Sequence, residues 1–241
     1  MPRPSGPPIR LPPPAKSLGR LPKLADRAYA YVKGLILDGG RDAGDLLPVE
    51  AVARILNASR QPVRDAMNRL ASEGLVQVIP QVGCRVTVPD ADEVADFYQL
   101  FAASEAVLAA LAAERRTHEE ASALATLHAD IESQARGGGA PTARDPLYRR
   151  LNRQLHERIH ALARSPIAAH LAAGMWDRSD FYLRAAFGSL YFSPDVIAAH
   201  RRMVAGITAG DGTAARTATE AHLLAVGART ARRLRAQPAR S

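Results

Sequence analysis

A mainly α fold in two parts is predicted: a small module of three helices and a hairpin, then an all-α antiparallel helix bundle. Three observations predict it. Aromatics make up only 5% of the 241 residues while Ala, Leu and Arg abound, a balance that favours helix over sheet. Between residues 24 and 88 helical periods give way to two short β-prone runs split by a turn. Beyond Pro89-Asp90 every apolar pattern repeats at 3- and 4-residue spacing.

Residues 1–22 hold eight prolines and four basic residues with no acid, which predicts a flexible, basic tail. Leu24, Ala28, Tyr31, Leu35 and Ile36 then keep one helical face, and Gly39-Gly40 stop the run. Pro48 suits the first turn of a short helix over about 48–55, whose apolar face Ile55 and Leu56 close. Asn57 suits a left-handed turn and Ser59 an N-cap for a helix over about 60–73. That helix is expected to bury Val63, Met67 and Leu70 and to carry Arg60, Arg64 and Asn68 on another face. Gly74 ends it, and 75–79 and 84–88 read as strands around Pro80-Gln81-Val82-Gly83. This order is that of a winged helix-turn-helix, expected over residues 23–89. A short helix braces a second whose exposed face fits a major groove about 12 Å wide.

The bundle is expected over 90–236, with a tail at 237–241. Its helices are placed near 91–115, 117–136, 145–163, 166–187, 194–209 and 212–236. Gly137-Gly138-Gly139 marks a linker, Ser165-Pro166 and Ser193-Pro194 mark helix starts, and Gly210-Asp211 marks a turn. Six antiparallel helices are enough to enclose a pocket.

Composition narrows the function classes. One cysteine, Cys84, excludes a disulfide framework and a Cys-rich zinc module. No run approaches 18 apolar residues and the Pro-broken start lacks a signal-peptide core, so no membrane span is expected, and the single cysteine is consistent with a reducing cytosol. The net charge of +8 is uneven: residues 1–89 hold 13 Lys/Arg against 7 Asp/Glu, residues 90–241 hold 19 against 17. A basic N-terminal third on a near-neutral remainder points to a polyanion-binding module joined to a different one.

All seven histidines lie in the bundle. Asn152 and His156 are i, i+4 on one helix face, and His200 and His222 sit at similar heights on two helices joined by the Gly210 turn. Three imidazoles and a carbonyl oxygen are ligands that suit a divalent ion such as Zn or Ni with positions left open. The plainer alternative is that each histidine is a satisfied core or surface group. His160 is expected to line the pocket or to pack, and His118, His128 and His170 to be surface or packing groups. Glu105 is expected to cap or pair within the bundle. Trp176, Phe181 and Tyr182 are expected to wall a cavity or pack.

Several of these motifs together resemble a known family. Val52-Ala53, then Asn57-Ala58-Ser59-Arg60-Gln61-Pro62-Val63-Arg64-Asp65-Ala66-Met67, then Leu70 and Glu73-Gly74-Leu75-Val76, closely resemble the DNA-binding signature of GntR-family bacterial regulators. Gly83-Cys84-Arg85-Val86 fits the wing. Asn152 four residues before His156, His200 before Gly210-Asp211, and the later His222 resemble the FCD-type ligand domain of the FadR-like branch. The resemblance covers about residues 24–234. It implies a homodimeric regulator, most often a repressor, on a near-palindromic double-stranded operator, responsive to a small carboxylate or sugar acid at a metal-containing pocket. By position, Ser59, Arg60, Gln61, Arg64 and Gly83 are the implied DNA contacts, and Asn152, His156, His200 and His222 the implied metal ligands.

Three departures qualify the likeness. Asn152 stands where many relatives carry aspartate. Phe101 stands where many place an arginine for the effector's carboxylate, so either Arg149, Arg153 or Arg184 does that work or the effector is more apolar or aromatic. Glu50 stands where fatty-acid-responsive members contact a base with arginine. The reading is a non-enzyme; the rivals are a three-histidine metalloenzyme and an effector-independent DNA-binding protein.

Overall fold

A computed structural model describes residues 11–80, 83–137, 146–188 and 193–237. The first half of the expected N-terminal tail, the turn residues Gln81 and Val82, linker residues Gly138 and Gly139, the start of the 145–163 helix and nearly all of the C-terminal tail lie outside the described residues. The chain divides into two compact units between Val88 and Pro89.

The first unit contains a 3-10 turn (Lys16–Arg20), α1 (Leu24–Leu37), β1 (Leu46–Leu47), α2 (Val49–Ile55), α3 (Arg60–Ser72), β2 (Val76–Ile79) and β3 (Gly83–Val86). Val32 and Ile36 of α1, Val52 of α2, Val63 and Leu70 of α3, and Val86 of β3 form its core without measurable exposure. Burying apolar side chains from every element is what holds so small a module together. The sheet is antiparallel in the order β1-β3-β2, with Leu47 opposite Cys84 and Val76 opposite Val86.

Details depart from the sequence expectation in four places. Two-residue β1 was not anticipated, since two residues carry no alternation to read. Pro48 precedes α2 as its N-cap instead of opening its first turn. Ser59 occupies the N-cap of α3, yet its side chain makes no capping bond. Finally, part of the expected flexible tail is folded: the Lys16–Arg20 turn forms, and the Tyr31 hydroxyl donates to the Pro12 carbonyl at 2.5 Å. Asn57 takes φ 48°, the left-handed geometry its position requires.

The second unit contains α4 (Ala91–Arg115), α5 (His118–Gly137), α6 (Pro146–Ala163), α7 (Pro166–Phe187), α8 (Pro194–Ala209) and α9 (Gly212–Arg235). Asp90 accepts from the amides of Asp92 and Glu93 at 2.9 and 3.0 Å, and Asp211 accepts from Ala214 at 2.9 Å. Each cap satisfies amides that the first turn leaves without intrahelical partners. Leu108, Leu124, Leu155, Ile159, Met203 and Ile207 gather in one apolar core. α4 runs through its centre, packed principally on α9. That packing depends on Gly227, where an added Cβ would lie 2.4 Å from the Tyr98 Cβ.

The expectation of no membrane-length apolar helix needs one qualification. Among the described residues α4 alone is long and apolar enough, by length and composition, to cross a membrane, and half of that stretch is buried. Its apolarity is accounted for by its central place in the bundle, where it also carries the buried carboxylate of Glu105.

Candidate functional site

The candidate nucleic-acid face is built on α3. One side of α3 buries Val63, Ala66, Met67 and Leu70, which leaves Arg60, Gln61, Arg64 and Asn68 exposed on the other. Ser59 is also exposed, at the helix start whose free amides suit a phosphate oxygen. Arg64 has no ion pair among the described residues, whereas Arg69 on the same helix stacks on Tyr29 at 3.6 Å and meets Asp26 and Glu73. Arg69 therefore belongs to the fold, and Arg60 and Arg64 present charge outward. Arg60 lies 3.6 Å from the exposed Glu50, and Gln61 donates to Asp65 at 2.9 Å. Arg64 and Asn68 border the same cleft as Ile79, Pro80 and Gly83 of the hairpin. Gly83 has φ +133° with nothing within 4 Å of an added Cβ, an open backbone position at the tip side of β3.

In the second unit, α6, α8 and α9 bring the expected ligand set together. His200 is fully buried, His156 1% exposed, Asn152 6% and His222 9%. The ring centres of His156 and His200 lie 5.5 Å apart, and those of His200 and His222 4.8 Å apart, edge to face. Burial first, and then the neighbouring imidazoles, hold His200 well below the usual histidine range, while burial, then His156 and the Arg229 cation, hold His222 down at about 3. Burial likewise lowers His156 despite its bond to Glu105. These shifts favour the neutral form of all three rings.

Glu105 organises the cluster from α4. One oxygen meets His160 Nε2 at 2.8 Å and Trp176 Nε1 at 3.1 Å, the other His156 Nδ1 at 3.2 Å. Burial pushes this carboxyl up, but the imidazole N–H groups outweigh it and hold it at about 2. An ionised carboxylate only accepts, so His156 donates from Nδ1 and keeps its lone pair on Nε2. That Nε2 and Asn152 Oδ1 are both buried without a hydrogen-bond partner. Neutral imidazoles with a carboxylate behind one of them, beside an unsatisfied amide oxygen, fit what a divalent ion requires of its ligands. As the side chains stand, no group of three His, Cys, Asp or Glu among the described residues is arranged to hold an ion.

A cavity of about 100 Å³ adjoins the cluster. Asn152 and His222 line it, with Tyr148 of α6, Trp176, Ser179, Leu183 and Phe187 of α7, and Leu223, Val226 and Arg229 of α9. The arginines expected from sequence to serve an effector lie elsewhere. Arg153 meets Asp177 at 2.8 Å and the buried Asp180 at 3.5 Å, and Arg149 lies 3.9 Å from Asp180. Neither lines the cavity, nor does Arg184 in the last turn of α7. Phe101 is wholly buried behind Trp176, ring centres 5.0 Å apart. Of the aromatic trio, Trp176 is a wall, while Tyr182 packs on Phe97. Sequence reasoning missed Tyr148 and Arg229. The spacing of His222, Val226 and Arg229 along one face of α9 was the available signal.

Comparison with known proteins agrees with this two-part picture. Residues 24–86 match the gntR family of bacterial regulatory proteins, and residues 96–225 match the FCD domain. An HTH-type transcriptional regulator from an unstable DNA locus of Streptomyces ambofaciens is 31% identical over 216 residues, spanning 82% of this chain and 81% of the relative. The HTH-type transcriptional regulator YdhC of Bacillus subtilis (strain 168) is 26% identical over 129 residues, 54% of this chain and 56% of that protein. E. coli McbR/YncC superposes with a TM-score of 0.66 at 20% identity, over 85% of this chain and 95% of that one. A GntR transcriptional regulator from Rhodococcus sp. RHA1 gives 0.64 at 18%, over 89% and 99%. At such identities these two structures speak to the fold.

Proposed function

Because the chain belongs to the gntR family of bacterial regulatory proteins and carries an FCD domain, we propose that this DNA-binding transcriptional regulator is a homodimeric repressor released by a small acid. Residues 23–89 form the operator-binding domain and 90–236 the effector and dimerisation domain. Acting in the bacterial cytoplasm, two α3 helices enter successive major grooves of a near-palindromic duplex. Arg60, Gln61 and Arg64 face the bases and phosphates, Ser59 meets a phosphate at the helix start, and Gly83 lets the wing approach the backbone. Specific affinity falls with salt as these cations displace counterions.

The cavity beside the histidine cluster is the effector site. Asn152, His156, His200 and His222 would hold a divalent ion, which would supply a Lewis-acidic point for an effector oxygen. Glu105 keeps His156 in the tautomer that offers Nε2, and the apolar walls exclude water. The effector shifts the equilibrium between two dimer states to the extent that it binds one better, with a coupling of about 5- to 150-fold in operator affinity.

The observation that carries this reading is the pairing of an exposed, unpaired Arg64 on α3 with a buried, cavity-lined Asn/His cluster in a separate unit. The test is footprinting of the chain on DNA flanking its own gene, repeated with a panel of organic acids. A protected site that one acid dissolves supports the reading. Protection that no acid changes identifies an effector-independent DNA-binding protein instead.

A further inference from the structure

Given the effector site proposed above, on which this step rests, the structure also bears on what the effector is. Among the residues lining the cavity, Arg229 carries the one permanent positive charge. It forms no ion pair among the described residues, and its Nε is buried without a hydrogen-bond partner. By contrast Arg149 and Arg153 are taken up by Asp177 and Asp180. The guanidinium stands 5.7 Å from the Phe187 ring centre, so one wall of the cavity is an aromatic face and its cation. A buried guanidinium nitrogen without an acceptor is costly, and an anionic ligand removes that cost.

Arg229 follows His222 by seven residues on the same face of α9, a rise of about 10 Å along the helix. The cation and the imidazole cluster therefore occupy opposite ends of the cavity. Between them the walls are mostly apolar, with Trp176, Leu183, Phe187, Leu223 and Val226, and carry the hydroxyls of Tyr148, Ser179 and Ser193. Both serine hydroxyls are already engaged, Ser179 with the Tyr98 hydroxyl at 2.9 Å and Ser193, whose Oγ accepts from the Val196 amide at 3.4 Å. A polyhydroxylated acid would bury several hydroxyls without partners there, at a cost for each. The volume of about 100 Å³ is below the roughly 150 Å³ of a cavity that encloses one benzene ring, so the buried body is at most one ring.

We infer that Arg229 receives the carboxylate of the effector, and that the effector is a compact carboxylic acid with an apolar body the size of a single ring, not a sugar acid. Arg229 thus performs the task for which position 101, a buried phenylalanine, is unsuited. The apolar walls select the body, and a second oxygen at its far end would face Asn152 and His222.

The test is calorimetric binding of benzoate, benzamide and D-gluconate to the full chain and to its Arg229→Gln and Arg229→Lys variants, with operator gel shifts alongside. Benzoate is expected to bind the wild type, with affinity lowered about ten-fold or more in Arg229→Gln by loss of the charge-assisted bonds. Arg229→Lys, which keeps the charge without the fork, is expected to fall between the two. Ligand-free melting temperatures of both variants are expected to be no lower than wild type, which separates lost binding from lost folding. Benzamide, lacking the charge, is expected to bind weakly and equally to all three. Equal benzoate affinity in wild type and Arg229→Gln overturns the assignment of Arg229. Gluconate binding in place of benzoate overturns the ligand class while leaving the effector site in place. If neither benzoate nor gluconate binds, this inference fails, while the effector reading itself stands or falls on the footprinting panel of organic acids.

Discussion

Replacing Glu105 by Gln is the most informative single perturbation of the bundle. The carboxylate is 1% exposed and receives N–H groups from His156, His160 and Trp176. Glutamine keeps the shape. Its carbonyl oxygen can retain the two bonds from His160 and Trp176, but its NH2 then faces the Nδ1–H of His156. That imidazole must leave the donor unpaired or switch tautomer, which moves its proton to Nε2 and removes the lone pair offered to an ion. Losing one charge-assisted bond in a buried site costs about 1.5–3 kcal/mol. The same contacts hold Glu105 below its ordinary 4.5, at about 2, which makes the stabilisation pH-dependent. For a chain of this size about 3 kcal/mol lowers the melting temperature by about 6–12 °C. The contribution is present above pH 4.5 and disappears as pH falls toward 2, so calorimetry should show wild type and variant converging in acid. Metal content by elemental analysis should fall in parallel. A variant melting within 2 °C of wild type at pH 7 with undiminished metal uptake would show that Glu105 neither stabilises the cluster nor sets its tautomer.

Other outcomes are expected from the same geometry. Arg64→Ala should weaken specific operator binding in gel shifts by about 10-fold or more, since a bidentate base contact is worth about 1–3 kcal/mol, with the melting curve unchanged. The double variant His156→Ala, His222→Ala should abolish divalent-metal content, and a chelator should lower the melting temperature of the wild type but not of this variant. Acid titration of the metal-free protein should show stability falling as pH drops below 6.5. His222 stays neutral when folded down to about 3 and protonates more readily when unfolded, an effect that reaches about 5 kcal/mol, and His222→Gln should flatten the slope. Gly227→Ala should cost about 1–3 kcal/mol by overpacking, because its Cβ would sit 2.4 Å from that of Tyr98; unchanged denaturant midpoints would mean that α4 and α9 separate freely.

Much of this protein was legible along the chain because the signals are local. Helix starts at Ser193 and Asp211, the stop at Gly74 and the left-handed turn at Asn57 follow from backbone chemistry within a few residues, and each stands as read. The basic, solvent-facing side of α3 was equally legible, since helical period alone separates Arg60 and Arg64 from Val63 and Met67. Asn152 and His156 shared a face by spacing.

Tertiary packing decided the rest. Nothing local marks the two residues of β1, whose strand character comes from pairing with β3. Nothing local tells Arg149 and Arg153 from Arg229: all are arginines on amphipathic helices, and only the placement of Asp177 and Asp180 takes up the first two and leaves the third at a cavity. Glu105 is likewise an ordinary helical glutamate until α6 and α7 bring three N–H groups to it. A side chain's period is written in its own sequence, but its partners lie 24 to 71 residues away, so charge pairing, burial and tautomer are set only when the helices close on one another.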